Sequence, residues 1–299
     1  MYGRQELTET VHDPEITVVP GVYDGISARL VAREGFSSGF LSGAGVSNSR
    51  LAQPDVGFLT LPDVADQSRE ISEAVDLPIW VDADTGYGTA VGVHRTVRRL
   101  ANAGAAAVMI EDQEWPKRCG HMAGKSVVPF DEAVSKIEAA AAARDECAPE
   151  MLLKARTDAT EPDGLDAAIE RLNAFADAGA DVVFADALRS EEAIARVAAE
   201  VDAPLSVNMG FGLRSRPTTP LIPAARLEEM GVDVVIYPRL ITAAATAGMR
   251  QALEELETAV ETREEYQAPE AVVDWEYYTD LLGKPAVDDL EARFARDGG

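Results

Sequence analysis

Eight short, β-prone apolar runs constrain this 299-residue chain more than any other feature, because longer Ala-, Glu- and Arg-rich stretches of helical periodicity separate them. The runs cover residues 16–19, 39–41, 78–81, 108–110, 152–155, 182–184, 205–207 and 234–237. Predicted helices between them include 26–34, 91–103, 131–144, 165–178, 191–201 and 226–230. A strand that returns through a helix lies parallel to its neighbour. Eight such units in a chain of this size predict a (β/α)8 TIM barrel, with a doubly wound open sheet as the second arrangement the pattern allows. Ala103-Gly104-Ala105 and Ala178-Gly179-Ala180 read as helix stops, since glycine takes the left-handed conformation with little strain.

Residues 1–265 are predicted to form the barrel, with a catalytic flap at 113–128, and 266–299 a C-terminal extension. In a chain that is only 6% aromatic, Trp275, Tyr277, Tyr278, Leu281 and Leu282 stand together. That patch is expected to pack on the barrel or on a neighbouring subunit. No segment approaches the roughly 20 apolar residues that span a bilayer, and the start of the chain has no signal-peptide pattern. A cytoplasmic location is therefore expected. Two cysteines, Cys119 and Cys147, make no disulfide framework.

The chain carries 52 acidic against 27 basic residues, net −25, and only five of the basic residues are lysine. Such a surface repels nucleic acid and anionic membranes, which excludes both as partners. Acid-rich, Lys-poor surfaces suit a high-salt, halophilic cytoplasm, where ions screen the self-repulsion. Three of the five lysines, Lys117, Lys125 and Lys136, fall in or just after one segment, residues 111–121.

Polar and glycine-rich groups follow the apolar runs in turn: Pro20-Gly21, Ser42-Gly43-Ala44-Gly45, Asp82-Ala83-Asp84, Glu111-Asp112, Arg156-Thr157-Asp158, Asp186, Asn208 and Tyr237. One acid after a strand is commonly a helix N-cap. Their recurrence around the ring instead marks the C-terminal rim, where barrels assemble active sites.

Asp82, Asp84 and Glu111, with Asp55 nearby, would crowd one rim with carboxylates. Such a cluster calls for a hard divalent cation, Mg²⁺ with Mn²⁺ as substitute, unless these acids only cap helices or pair with Arg156. Ser42, Gly43 and Ala44 offer backbone N–H groups to an anionic carboxylate, and Arg156 a charge-assisted contact. The alternative readings are a tight turn and a structural ion pair. The segment 111–121 adds a thiol and an imidazole, with Cys119 set among Lys117, Arg118 and His121. That setting favours a thiolate that attacks an electrophile or a thiol that protonates a carbanion, against an incidental small residue in a loop. Residues 120–126 imitate a phosphate-binding loop, but their glycine spacing is one residue short.

Val81-Asp82-Ala83-Asp84-Thr85-Gly86-Tyr87-Gly88, Ile110-Glu111-Asp112-Gln113 and Lys117-Arg118-Cys119-Gly120-His121 resemble the isocitrate lyase/phosphoenolpyruvate mutase superfamily. Pro20 to Asp24, Ala155-Arg156-Thr157-Asp158 and Asn208 fit in the same order, so the resemblance covers about residues 15–260. It implies a (β/α)8 barrel, Mg²⁺, small 2-hydroxy or 2-oxo carboxylic acid substrates, and homotetramers that exchange the last barrel helix. Members with a Lys-x-Cys-Gly-His motif are mostly carbon–carbon lyases, so the resemblance favours isocitrate or 2-methylisocitrate cleavage by retro-aldol chemistry. Phosphonopyruvate mutase, 2,3-dimethylmalate lyase and oxaloacetate decarboxylase or hydrolase are the alternatives. By the same resemblance Asp82, Asp84 and Glu111 surround the metal, and Ser42, Gly43, Ala44 and Arg156 hold the 2-oxo acid carboxylate. Asp55 lies near the site, while Cys119, with Lys117 and His121, protonates the departing carbanion. Two departures stand out: Asp186 occupies a position where lyases usually carry Glu, and residues 208–219 differ from the segment that grips the succinate end. Asn208, Arg214 (or Arg216) and Thr219 are the substrate-binding candidates there.

Overall fold

The structure is a computed structural model that describes residues 4–120, 122–211, 219–263 and 268–295. The chain divides into two compact units, Met1–Thr242 and Ala243–Gly299.

In the first unit β1 (Thr17–Val22), β2 (Gly39–Leu41), β3 (Ile79–Asp82), β4 (Ala107–Glu111), β5 (Leu152–Thr157), β6 (Val182–Ala185), β7 (Leu205–Asn208) and β8 (Val234–Tyr237) close into a parallel barrel in sequence order. Strand β8 pairs back onto β1, so the open sheet is excluded. Several strands run one to three residues past their predicted ends, because the ladder continues through Asp82, Glu111, Arg156-Thr157 and Asn208. These polar positions break the apolar pattern without breaking the backbone pairing.

Alternation along the strands sorts side chains to two faces. Val81, Val108, Ile110, Leu153, Ala155, Val183, Val207 and Val235 join the outer core beneath the helices. Phe40, Trp80, Met109, Leu152, Val182, Phe184, Val234 and Ile236 form a second cluster, together with Leu7 and Val11 of α1 (Arg4–Val11). That helix is fixed to the start of β4 by Arg4, whose guanidinium donates to the carbonyls of Ala101 and Ala105 at 2.8 and 2.9 Å. Burial on both faces explains why most strands read as continuous apolar runs.

Helices α2 (Gly25–Arg33), α3 (Gly43–Leu51), α4 (Leu61–Ala74), α5 (Ala90–Asn102), α6 (Phe130–Cys147), α7 (Leu165–Asp177), α8 (Glu191–Glu200) and α9 (Ala224–Glu229) make the crossovers. Asp24 and Ser27 form a capping box on α2, and the α5 and α7 stops place Gly104 and Gly179 at φ 87° and 103°. Helix α3 excludes the alternative reading of Ser42–Gly45 as a tight turn: Ser42 is an N-cap, accepting from Gly45 N–H at 3.4 Å.

The second unit holds most of α10 (Leu240–Glu261), with α11 (Trp275–Leu281) and α12 (Lys284–Phe294). Met249, Leu253, Leu256 and Val260 of α10 are exposed at helical spacing, as are Trp275, Leu290 and Phe294. Among the described residues no helix is long and apolar enough to cross a membrane.

Candidate active site

The polar rim of the barrel is buried rather than open. Two strands set its centre: the ladder places Glu111 of β4 directly beside Arg156 of β5. The Arg156 guanidinium grips Asp158 through Nε and Nη2, both at 2.8 Å, and lies 3.3 Å from Glu111 and 3.6 Å from Asp186. Against the loss of hydration, three carboxylates hold it firmly protonated. Glu111 has the opposite problem. Burial pushes its proton affinity well above the usual carboxylate range, against the pull of Arg156, and its Oε1 is buried without a hydrogen-bond partner among the described residues.

On the other side of Glu111, Lys117 Nζ sits 2.5 Å from Asp55 and 2.6 Å from Asp84. Burial raises Asp84 to about 7; Lys117 opposes the rise, and Asp82 and Asp55 add to it. Burial alone would lower Lys117, but Asp84 and Asp55 lift it well above its ordinary value. Glu111 and Asp82 act on the same ammonium, so four carboxylates share one cation here. Asp82 is tied by its own neighbours, accepting from Gly43 N–H and Asp84 N–H at 3.1 Å each. Gly43 must stay small here, since a Cβ would come within 3.1 Å of Asp82 and 3.2 Å of Asp84. Among the described residues no three carboxylate, thiol or imidazole groups are arranged to share one cation.

The loop 113–128 covers this rim and is closed on itself. Gln113 pairs with Val127, Glu114 N–H donates to Ser126 at 2.9 Å, and the Gln113 amide spans the loop to both backbone groups of Arg118. Two lysines fasten it to the barrel. Lys117 reaches Asp55 and Asp84, and Lys125 Nζ reaches Asp158 at 2.8 Å and Asp186 at 2.7 Å. Gly120 packs so closely that a Cβ would lie 2.5 Å from Asp186.

Inside the loop Cys119 is buried, its N–H donating to Asp55 O at 3.1 Å. Arg239, just past β8, brings Nη2 to 2.9 Å from Cys119 Sγ. A cavity of about 40 Å³ brings together Ser42, Ala44, Asp55, Asp82, Cys119, Arg156, Asn208 and Arg239, on a floor of Phe40 and Phe184. That is room for a few waters. First-turn N–H groups of a helix lack an intrahelical partner. In α3, Gly43 gives its N–H to Asp82 and Gly45 to Ser42, which leaves that of Ala44 without one among the described residues. Asn208 Oδ1 is also buried without a partner. A larger cavity of about 550 Å³ opens beside Leu59, Leu61, Tyr87, Trp115 and Val128. It contains none of the rim carboxylates, so the smaller one is the candidate reaction site.

Of the sequence candidates, Ser42, Ala44, Asp55, Asp82, Cys119, Arg156 and Asn208 line this one cavity, and Gly43, Asp84, Glu111 and Lys117 contact its walls. Thr219 is buried but does not line it. His121, Arg214 and Arg216 lie outside the described residues. Sequence reasoning missed Arg239, Asn48 and the joint hold of Asp158 and Asp186 on Lys125. A basic residue two positions after the last strand was the available signal for Arg239.

The chain matches the family Phosphoenolpyruvate phosphomutase over residues 7–257. It is 36% identical to 2,3-dimethylmalate lyase of Eubacterium barkeri over 291 residues, 97% of each chain. It is 44% identical to 2-methylisocitrate lyase of Aeropyrum pernix over 233 residues, 78% of this chain and 72% of that one. Among solved structures, oxaloacetate acetylhydrolase in complex with the inhibitor 3,3-difluorooxalacetate superposes with TM-score 0.90 at 33% identity, covering 99% of each chain. Phosphonopyruvate hydrolase in complex with oxalate and Mg²⁺ gives TM-score 0.86 at 25% identity, over 99% of this chain and 100% of that one.

Proposed function

Because the chain belongs to the phosphoenolpyruvate phosphomutase family, we propose that it is a carbon–carbon lyase that splits a 2-hydroxy polycarboxylate, isocitrate or 2-methylisocitrate, into succinate and glyoxylate or pyruvate. The observation that carries this reading is Cys119. Its thiol faces the same small cavity as the anion-binding end of α3 and the rim carboxylates. A carbon–carbon cleavage leaves a carbanion that must be protonated, a need that an intramolecular phosphoryl mutase does not have.

No three of these acids stand ready to share one cation, yet the chemistry of the donor set fits Mg²⁺. Asp82, Asp84 and Glu111 are hard oxygen donors, Glu111 Oε1 has no hydrogen-bond partner among the described residues, and four carboxylates act on the one ammonium of Lys117. Bound there, it would polarise the hydroxyl and carboxylate oxygens of the substrate. The Mg²⁺ in the phosphonopyruvate hydrolase structure supports the assignment.

The remaining work falls to the protein's own groups. The free N–H of Ala44 and the Asn208 amide orient the 2-oxo acid end. Arg156 spreads positive charge over Glu111, Asp158 and Asp186, fixing the shape of that wall. Lys117 stays protonated and offsets negative charge as the C–C bond breaks. Cys119 then gives its proton to the carbon that has lost its partner. A cavity of about 40 Å³ does not admit a tricarboxylate; loop 113–128 opens for entry and closes to exclude water.

2,3-Dimethylmalate is the second substrate reading, favoured by the full-length match to that lyase. The same retro-aldol step would give pyruvate and propionate. A homotetramer that exchanges α10 is supported by the exposed apolar stripe on that helix. The deciding experiment measures products from isocitrate, 2-methylisocitrate, 2,3-dimethylmalate and oxaloacetate in concentrated KCl with Mg²⁺. Succinate equimolar with glyoxylate or pyruvate establishes the lyase and its substrate. Turnover of oxaloacetate with none of the three hydroxy acids cleaved overturns it.

A further inference from the structure

Arg239 is unlike the other cations of the rim. Lys117, Lys125 and Arg156 each face two or more carboxylates. Among the described residues Arg239 has no carboxylate within ion-pair distance, although the chain has almost twice as many acids as bases. Among the described residues its two side-chain partners are neutral or weak acceptors, Asn48 Oδ1 at 3.4 Å and Cys119 Sγ at 2.9 Å. A guanidinium in a half-buried wall, kept from every carboxylate in an acidic protein, is a site for an anion that arrives from outside.

Its place in the ring says which anion. Arg239 follows β8, while Arg156 and Glu111 stand on β5 and β4, across the closed barrel from it. In the lyase reading Ser42 and Ala44, at the N-terminus of α3, serve the 2-oxo acid end. Cys119 lines the cavity with those groups and meets Arg239 through its Sγ at 2.9 Å, so a carbon protonated by Cys119 carries its own carboxylate within reach of the guanidinium.

We propose that Arg239 is a catalytic residue that binds the carboxylate attached to the carbon protonated by Cys119, and that it rests on the thiol until substrate takes it over. This rests on the lyase reading. A rim carboxylate takes the hydroxyl proton, the hydroxyl carbon becomes a carbonyl, and as the C–C bond breaks its electron pair moves onto the other carbon and into the attached carboxylate, which becomes doubly charged. Arg239 bridges two carboxylate oxygens and holds that charge, the S–H proton moves to carbon, and the thiolate left behind is met again by Arg239 when the product departs.

The test uses full-length protein carrying Cys147→Ser, so that Cys119 is the only thiol. Iodoacetamide alkylation of Cys119 is followed with added succinate or with oxalate plus Mg²⁺, before and after Arg239→Leu and Arg239→Lys. Succinate is expected to protect the parent and to need at least tenfold more ligand in Arg239→Leu, with Lys intermediate. Oxalate, held at the other end, should protect all three equally, which also shows that the variants fold. On the cleaved hydroxy acid, kcat should fall on the order of 10²–10³-fold in Arg239→Leu. Equal succinate protection in parent and Leu variant, or none in the parent, overturns the proposal even if the lyase is active. Arg239-dependent succinate protection in a protein that cleaves no hydroxy acid upholds the carboxylate site and overturns the lyase.

Discussion

Lys125 Nζ lies 2.7 Å from Asp186 Oδ2 with neither side chain open to solvent, so the covering loop is tied to the end of β6 by a buried charge. Asp158 shares the same ammonium at 2.8 Å. Removing one member of a buried pair strands the other, at about 3–5 kcal/mol. Lys125→Met should therefore free the loop more than it unfolds the barrel, because Arg156 still faces both acids. Amide hydrogen exchange in 113–128 is expected to accelerate at least tenfold, and kcat/KM to fall with it. Unchanged exchange across the loop would show that Lys125 does not fasten it.

Cys119→Ser tests the chemistry at the thiol. A hydroxyl is a far weaker acid than a thiol, and losing one positioned proton donor costs about 10²–10⁴-fold. Cleavage of the hydroxy acid should drop by that factor, while oxalate binding, measured by calorimetry, stays within about twofold. Undiminished cleavage would move the proton donor elsewhere on the rim.

Lys154 is the oddest residue inside the barrel. It is fully buried, donates to Ser206 Oγ at 2.7 Å, and is ringed by Phe184, Phe40 and Trp80 at 4.9, 5.5 and 5.6 Å. Burial, with Arg156 adding repulsion, lowers it to about 7. Between that value and the ordinary lysine range the unfolded chain binds more protons than the folded one, so stability rises with pH over that window. Lys154→Met removes the dependence. The variant should be more stable than the parent by a few kcal/mol at about pH 7, with the gap closing towards about pH 10. Denaturant midpoints at the two pH values measure it, and a gap independent of pH would mean that Lys154 stays charged in the fold.

The barrel was legible because parallel strands buried on both faces leave apolar runs that nothing else in the chain imitates. The rim was legible as types: acids and glycines at strand ends mark Ser42, Asp82, Glu111 and Arg156 without any geometry. Partner choice was not. Arg156 reads as a carboxylate clamp for substrate, yet the fold gives it Asp158, Glu111 and Asp186. Arg239 belongs to no motif in the sequence, yet among the described residues it has no protein carboxylate within ion-pair distance, unlike Lys117, Lys125 and Arg156. Both depend on which side chains the closed ring brings together, and single-sequence periodicity carries no such information. Ser42–Gly45 shows a smaller gap, since an N-cap followed by glycines has the composition of a turn and the backbone of a helix.

Asp84→Asn tests the cation site without relying on turnover. Asp84 stands at about 7 because burial and its acidic neighbours outweigh Lys117. A carboxylate raised above its unfolded value favours the folded state below about pH 4, and that advantage is lost as pH rises through about 7. Metal-free protein should therefore weaken between those limits, and Mg²⁺, which needs the ionised carboxylate, should restore more at about pH 8 than at about pH 5. At roughly one hundred times its dissociation constant a ligand adds about 2.7 kcal/mol. In calorimetry at constant ionic strength the parent should show a pH-dependent rise in Tm with Mg²⁺, and Asp84→Asn little or none. A variant that keeps the full Mg²⁺ response would remove Asp84 from the donor set and leave Lys117 as its true counter-ion.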